Sequence, residues 1–324
     1  MKLLRGLHNP PIPEAGCVAT IGNFDGVHLG HQAILDRVKE KAHELSLPSL
    51  VLVFEPQPQE YFHGEDAPAR LMRFRDKYVC LESEGIDYVC VLKFDENFRS
   101  LSADAFIEKV LVDHLKVQHL VIGDDFRFGG DRQGNFKDLE IAGAERGFGV
   151  ERTETYCTEV RSKGDIRISS TLVREALAKG HLEDAQEYLG RPFSISGRVM
   201  YGRQLGRQLG FPTANIALKR RKNPLSGVFV VRCQITNGPK AGQYYGVANV
   251  GKKPTVGEFD ANLEVHIFDF DADIYSRRLQ VEIIQKLREE MRFESVDALA
   301  EQIQKDNSAA RAFVAQQRPA LRLV

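Results

Sequence analysis

The pattern of apolar residues changes once along this chain, at Gly190-Arg191-Pro192-Phe193, and the change calls for two domains of different class. Before it, short runs rich in Val, Ile and Leu (Cys17 to Ile21, Leu50 to Phe54, Tyr88 to Leu92, His119 to Ile122) alternate with longer stretches of helical period. In Gln32 to Leu45, for example, Ile34, Leu35, Val38, Ala42 and Leu45 fall on one face. Such alternation predicts α/β architecture, a doubly wound parallel sheet between helices, with ligands at the carboxyl ends of the strands. A helical pair, about Thr171 to Ala178 and Leu182 to Leu189, closes this part, so the expected domains are 1–189 and 190–324. After the break come alternating runs at Ile195 to Met200, Val228 to Ile235, Tyr244 to Val250, Leu263 to Phe268 and Leu279 to Ile284, separated by Gly, Pro and Asn. They predict a small antiparallel β-barrel. A helix from about Val296 to Gln316, with Leu299, Ile303, Ala310 and Phe313 at helical spacing, is expected to pack on it.

A length of 324 residues suits two domains. Lys and Arg number 44 against 45 Asp and Glu, so no global positive field exists to hold nucleic acid or an anionic membrane. Cys17, Cys80, Cys90, Cys157 and Cys233 form no CxxC pair and no zinc spacing, and read as reduced thiols. No apolar run has the length of a signal peptide core or a membrane span. The expectation is a cytoplasmic protein with small-molecule partners, and neither nucleic acid nor membrane.

Directly after the first strong strand stands GNFDGVHLGH, Gly22 to His31. Its glycines Gly22, Gly26 and Gly30 permit a tight turn, and the helix that follows aims free N–H groups and its positive dipole end at the turn. An anion is favoured there. His28 and His31, three apart, share one side of the first helical turn, where two imidazoles can hold a phosphate oxygen as charge builds in a transition state. HxGH alone is a weak motif, and surface or metal-binding histidines are the plain reading of it; its placement after a buried strand favours phosphate. No GxGxxG exists, and the near-Walker stretch Gly246 to Lys252 continues with Lys253 and Pro254 where Ser or Thr and a helix belong.

RISSTLVR, Arg167 to Arg174, has Ser169, Ser170 and Thr171 positioned to cap a helix. A plain capping box asks for Glu or Gln three residues on, yet Leu172, Val173 and Arg174 stand there. A cation at a helix N-terminus makes sense beside an anionic ligand, which Arg167 and Arg174 can bind through planar hydrogen-bond forks. In the second domain a tandem GRQL repeat runs into GFPTANI, Gly210 to Ile216. Thr213 and Asn215 fall on one face of an extended segment, and their oxygens suit Mg²⁺; an edge strand with a turn explains the pattern equally well. Glu264 and His266 share the polar face of LEVHIF. A carboxylate there can take the proton of a substrate hydroxyl, although pattern alone fits a solvated strand face better.

GNFDGVHLGHQ and RISSTLVR together resemble the HxGH nucleotidyltransferases, and with FEPQP (Phe54 to Pro58) and GDDFRFG (Gly123 to Gly129) the wording is similar to the prokaryotic bifunctional riboflavin kinase/FMN adenylyltransferase family. GFPTANI, the NVGKKPT run at Asn249 to Thr255, LEVHIFDF and the Arg288 region resemble its riboflavin kinase domain. The resemblance spans nearly the whole chain. It implies an enzyme that phosphorylates riboflavin to FMN in a six-stranded barrel and adenylylates FMN to FAD in the α/β domain, using ATP twice and Mg²⁺. In the adenylyltransferase it implies ATP at Gly22, Asn23, Phe24, His28, His31, Arg167, Ser170, Thr171 and Arg174, with flavin near Asp125, Phe126 and Phe128. In the kinase it implies ATP at Gly210, Thr213 and Asn215, Mg²⁺ at Thr213 and Asn215, Glu264 as general base and Arg288 near flavin. Two positions depart from the family pattern: Gln57 replaces the His of FEPHP, and Ser276 replaces a Gly that commonly follows the Tyr matched by Tyr275.

Overall fold

The structure, a computed structural model, describes residues 1–7, 14–154, 156–160, 164–202, 206, 209–220, 222–238, 240–252 and 261–317. The chain divides into two compact units, Met1–Pro68 with Met72–Ser170, and Ala69–Leu71 with Thr171–Val324.

The first unit is built on six parallel strands: β1 (Lys2–Arg5), β2 (Cys17–Ile21), β3 (Ser49–Glu55), β4 (Tyr88–Lys93), β5 (Val117–Gly123) and β6 (Gly149–Thr153), in the order β1-β4-β3-β2-β5-β6. Every residue of β2 is buried, which is why this central strand reads as an uninterrupted apolar run. The four strands legible in the sequence are the inner ones. β1 and β6 lie at the edges, where one neighbour and partial exposure leave KLLR and GVERT without that run. An antiparallel hairpin, β7 (Cys157–Val160) with β8 (Gly164–Arg167), follows outside the sheet. Strand order reverses at β2, with β3 on one side and β5 on the other. The carboxyl ends of β2 and β5 therefore flank the switch point at which such sheets bind ligands, and they lead into GNFDGVH and GDDFRFG. The helix Leu29–Leu45 buries Leu35, Val38 and Ala42. Leu45, the last of the predicted apolar face, is exposed in its final turn.

At the β5–β6 edge, Arg37 Nη2 donates to Glu151 Oε2 (2.9 Å) and His119 Nε2 lies 3.5 Å from the same oxygen. The Arg37 guanidinium holds the Glu151 carboxyl below the usual carboxylate range, while burial holds the His119 imidazole below its ordinary value. The unfolded chain takes up a proton at His119 near its ordinary pKa of 6.5 and the folded chain resists, so stability falls as pH drops below that value. The Glu151 contribution is full above its ordinary value of 4.5 and is lost on further acidification. Urea midpoints should thus decrease from pH 7 to pH 5, and His119→Gln should flatten that part of the curve; an unchanged slope would remove His119 from the account.

In the second unit, the helices Ser170–Lys179 and Leu182–Leu189 precede a closed antiparallel barrel. Its strands are β9 (Ser194–Met200), β10 (Ala214–Ala217), β11 (Gly227–Ile235), β12 (Gly242–Lys252), β13 (Ala261–Ile267) and β14 (Arg278–Arg288), in the order β10-β13-β12-β11-β14-β9. β10 is the strand that alternation missed, because only four residues long and just after Pro212 it has no pattern to show. The helix Val296–Gln317 packs Ala310 and Val314 against Val230 and Phe268.

Ser276 adopts φ 63°, left-handed backbone, while its N–H donates to Val199 O (2.8 Å) and so holds β9. A side chain in that region costs about 1–2 kcal/mol, which is the physical content of the glycine expected here. Ser276→Gly removes the strain, offset by about 0.5–1 kcal/mol of extra unfolded-state entropy. The expected result is a melting temperature higher by about 1–2 °C; a lower one would refute the strain.

Candidate active sites

The turn after β2 is held by its own side chains. Phe24 (φ 46°) and Val27 (φ 42°) both sit in left-handed backbone, and the strain, on the order of 1–3 kcal/mol each, persists because both side chains are buried among Leu35, Val51, Val53 and Leu81. Gly26 (φ 93°) takes the third positive φ without a Cβ penalty. The buried Asp25 carboxylate accepts from Met72 N–H (2.9 Å), and its carbonyl accepts from the Ser170 hydroxyl (2.8 Å). This ties Ser170 to the turn.

His28 caps the helix Leu29–Leu45, its Nδ1 accepting from His31 N–H at 3.3 Å. The two imidazoles stack with centroids 3.7 Å apart, and Phe24 packs 4.8 Å from the His31 ring. Spacing predicted the shared side, and the structure makes it a contact. No acidic residue occupies the first turn of that helix. Two adjacent imidazoles on a positive dipole end suit an anion that carries more than one charge.

At the carboxyl end of β5, Arg167 Nη2 donates to Asp125 (2.9 Å) and Asp124 (3.3 Å), linking RISSTLVR to GDDFRFG. All three side chains are at least one-third exposed, so the pair positions Arg167 more than it stabilises the fold. Phe126 and Phe128 stack at 5.8 Å; Phe128 is buried against Phe106, whereas Phe126 stays partly accessible. The rings continue through Phe98 to Phe94, Tyr61 and Phe62 beside the FEPQP segment, a series sequence reading missed because its members are far apart in the chain. Gln57 is buried at the start of the helix Pro58–His63, where its N–H donates to Glu60 (2.9 Å). Thr171 and Arg174 fall in the second unit, where Arg174 Nε donates to Ala69 O (2.6 Å).

In the barrel, antiparallel register sets Asn215 of β10 opposite Glu264 of β13, and Glu264 opposite Asn249 of β12. Alternation puts Asn262, Glu264 and His266 on the face opposite the fully buried Leu263 and Val265. One chain of hydrogen bonds joins Asn262 and Glu264 to β10: Asn215 Nδ2 donates to Thr213 O (3.3 Å), and Asn262 Nδ2 donates to Asn215 Oδ1 (3.0 Å) and Glu264 Oε1 (3.2 Å). Asn262 is the neighbour of Glu264 that the motif reading missed, although its parity with Glu264 was visible. Gly202 lies against Asn215 so closely that a Cβ would come within 2.6 Å of the amide carbon. Residues 203–205, 207 and 208 of the GRQL repeat, and Lys253 to Thr255 of the NVGKKPT run, lie outside the described residues.

Two cavities meet at this network. One, of about 370 Å³, is lined by Gly202, Thr213, Asn215, Asp271, Asp273 and Tyr275. The other, of about 290 Å³, is lined by Thr213, Glu264, Arg288 and Asn307, with apolar walls that include Phe211 and Phe293. Thr213 belongs to both. Gly210, beside them, takes a positive φ of 84°. Arg288 is held by Asp306 through Nε (3.0 Å) and Nη2 (2.8 Å).

Residues 11–172 match the family model for FAD synthetase, and residues 189–314 match the one for riboflavin kinase. A bifunctional riboflavin kinase/FMN adenylyltransferase of Haemophilus influenzae is 51% identical over 97% of this chain and 99% of its own. Proteins of the same name are 53% identical in Pseudomonas fluorescens (97% and 98% covered) and 48% identical in Escherichia coli K12 (99% and 100% covered). The chain belongs to the bifunctional riboflavin kinase/FMN adenylyltransferase family. The family order, FAD synthetase before riboflavin kinase, is the order in which the two motif sets occur. A crystal structure described as a macrolide-efflux protein of Streptococcus pneumoniae has the same two-part fold, with a TM-score of 0.78, 30% identity, and 95% of this chain and 98% of that one covered. Among the described residues no helix is long and apolar enough to cross a membrane.

Proposed function

We propose that this chain makes FAD from riboflavin in two successive transfers from ATP, the kinase step in residues 190–324 and the adenylyl step in residues 1–189. Both activities carry the names of the two family models and of the full-length relatives. Thr213, in the wall of both barrel cavities, supports the kinase assignment best: one cavity takes the ATP polyphosphate, the other the flavin, and the transferred phosphoryl group passes between them beside Glu264.

In the kinase, Glu264 accepts the proton of the ribityl 5′-hydroxyl as its oxygen attacks the γ-phosphorus. The bond to the β-phosphate oxygen breaks, and ADP leaves. Asn262 fixes the Glu264 carboxylate, while Arg288, pinned by Asp306, borders the flavin. Thr213 Oγ1 and Asn215 Oδ1 are neutral oxygens, and no cluster of three acidic, His or Cys side chains exists among the described residues to hold a metal by itself. They fit Mg²⁺ held largely by phosphate oxygens. Bound there, Mg²⁺ would neutralise charge on the transferring phosphates. In the adenylyltransferase, an FMN phosphate oxygen attacks the α-phosphorus of ATP and pyrophosphate departs. Gly22, Asn23 and Phe24 shape the turn around ATP, and His28 and His31 stabilise charge on its phosphates. Ser170, Thr171 and Arg174 are assigned to the leaving pyrophosphate, Arg167 to the ATP polyphosphate, and Asp125, Phe126 and Phe128 to FMN. The proposed location is the cytoplasm, in keeping with five free cysteines and ATP as substrate.

Incubation with riboflavin, ATP and Mg²⁺ and separation of the flavins should show FMN, then FAD. No FMN from riboflavin would remove the kinase assignment, and no FAD from added FMN would remove the other.

A further inference from the structure

On the reading that the cavity of about 290 Å³ holds riboflavin, we propose that Asn307 determines specificity for the flavin ring, its side-chain oxygen accepting a hydrogen bond from the isoalloxazine imide N–H. Asn307 lies on the helix Val296–Gln317, is 8% exposed, and lines that cavity. Its Oδ1 is shut off from solvent and has no hydrogen-bond partner among the described residues. A buried acceptor without a donor is a standing cost that folding alone does not explain, and a ligand bearing a donor removes it. The adjacent Asp306 cannot serve instead, because Oδ1 already accepts from Arg288 Nε (3.0 Å) and Gln302 Nε2 (2.9 Å), and Oδ2 from Arg288 Nη2 (2.8 Å).

The chemistry of the cavity selects the donor. Phe211, Val228, Val247, Phe293, Leu299 and Ile303 give it apolar walls of the kind that take a flat ring system. Oxidised isoalloxazine carries a single ring N–H, at the imide, between two carbonyls. The 5′-hydroxyl at the far end of the ribityl chain must reach Glu264 on the barrel wall, which leaves the ring for the helix wall where Asn307 stands. A site built to pair one N–H rejects an analogue that lacks it far more strongly than an apolar slot rejects added bulk.

The experiment compares riboflavin with 3-methylriboflavin, which has no imide N–H, as kinase substrates of the full chain. The wild type should show KM at least about 10-fold higher for the methylated flavin. Asn307→Leu should raise KM for riboflavin to a similar degree with kcat preserved, and bring the ratio of the two KM values near one. Asn307→Ala, which also opens room for the methyl group, should do the same. Because each variant removes an unmet acceptor, ligand-free melting temperature should not fall for Asn307→Leu, as it would for a merely structural residue. Equal KM values in the wild type, or a ratio that persists in either folded variant, would overturn the proposal and leave the kinase assignment standing. Absence of FMN formation from riboflavin itself would instead overturn that assignment.

Discussion

His28→Ala is expected to slow FAD formation from FMN by about 10²–10³-fold, the scale for removing one donor to developing transition-state charge, while FMN formation from riboflavin continues unchanged. His28 also caps its helix through Nδ1, so alanine removes a hydrogen bond as well as an imidazole. Loss of a cap costs about 1 kcal/mol. His28→Asn separates the two effects, since the amide oxygen caps as well as Nδ1 does but cannot supply an imidazole to ATP. It should melt like the wild type and be nearly as inactive as alanine in the adenylyl step. Retention of adenylyl transfer by either variant would place the phosphate-binding chemistry elsewhere.

Glu264→Gln should do the reverse, reducing FMN formation by about 10²–10⁴-fold, the usual contribution of general-base catalysis, while FAD is still made from added FMN. The substitution is close to isosteric, and the Gln carbonyl can keep the hydrogen bond from Asn262, so the barrel register should survive. A folded Glu264→Gln protein with full kinase activity would leave the 5′-hydroxyl without its assigned base.

The inner sheet strands and five of the six barrel strands were legible because burial on one or both faces writes a run or an alternation into the sequence. β1 and β6 were not, being edges, and β10 was not, being four residues long behind a proline. At the first site the sequence placed His28 and His31 on one side of a helix start, but not the stacking of the rings or the cap from Nδ1, which depend on the buried, strained positions of Phe24 and Val27. The sequence offers Arg167 as a planar donor to polyphosphate; its pairing with Asp124 and Asp125 joins segments more than 40 residues apart in sequence, and no local pattern carries that. In the barrel, parity alone put Glu264 with His266, and the same parity included Asn262. The role of the last helix was only half visible. Its apolar stripe predicted packing, whereas in the structure Asp306 and Asn307, polar residues on its buried face, line a cavity together with Leu299 and Ile303 of that stripe.

Two independent sites on one chain is the central claim, and mixing the two single-site variants tests it most directly. Equal amounts of His28→Ala and Glu264→Gln proteins, incubated with riboflavin, ATP and Mg²⁺, should produce FAD that neither variant makes alone at a comparable rate. FMN released by the first supplies the second. A mixture that stays without FAD while the wild type makes it, or a folded single variant that loses both activities, would contradict the account.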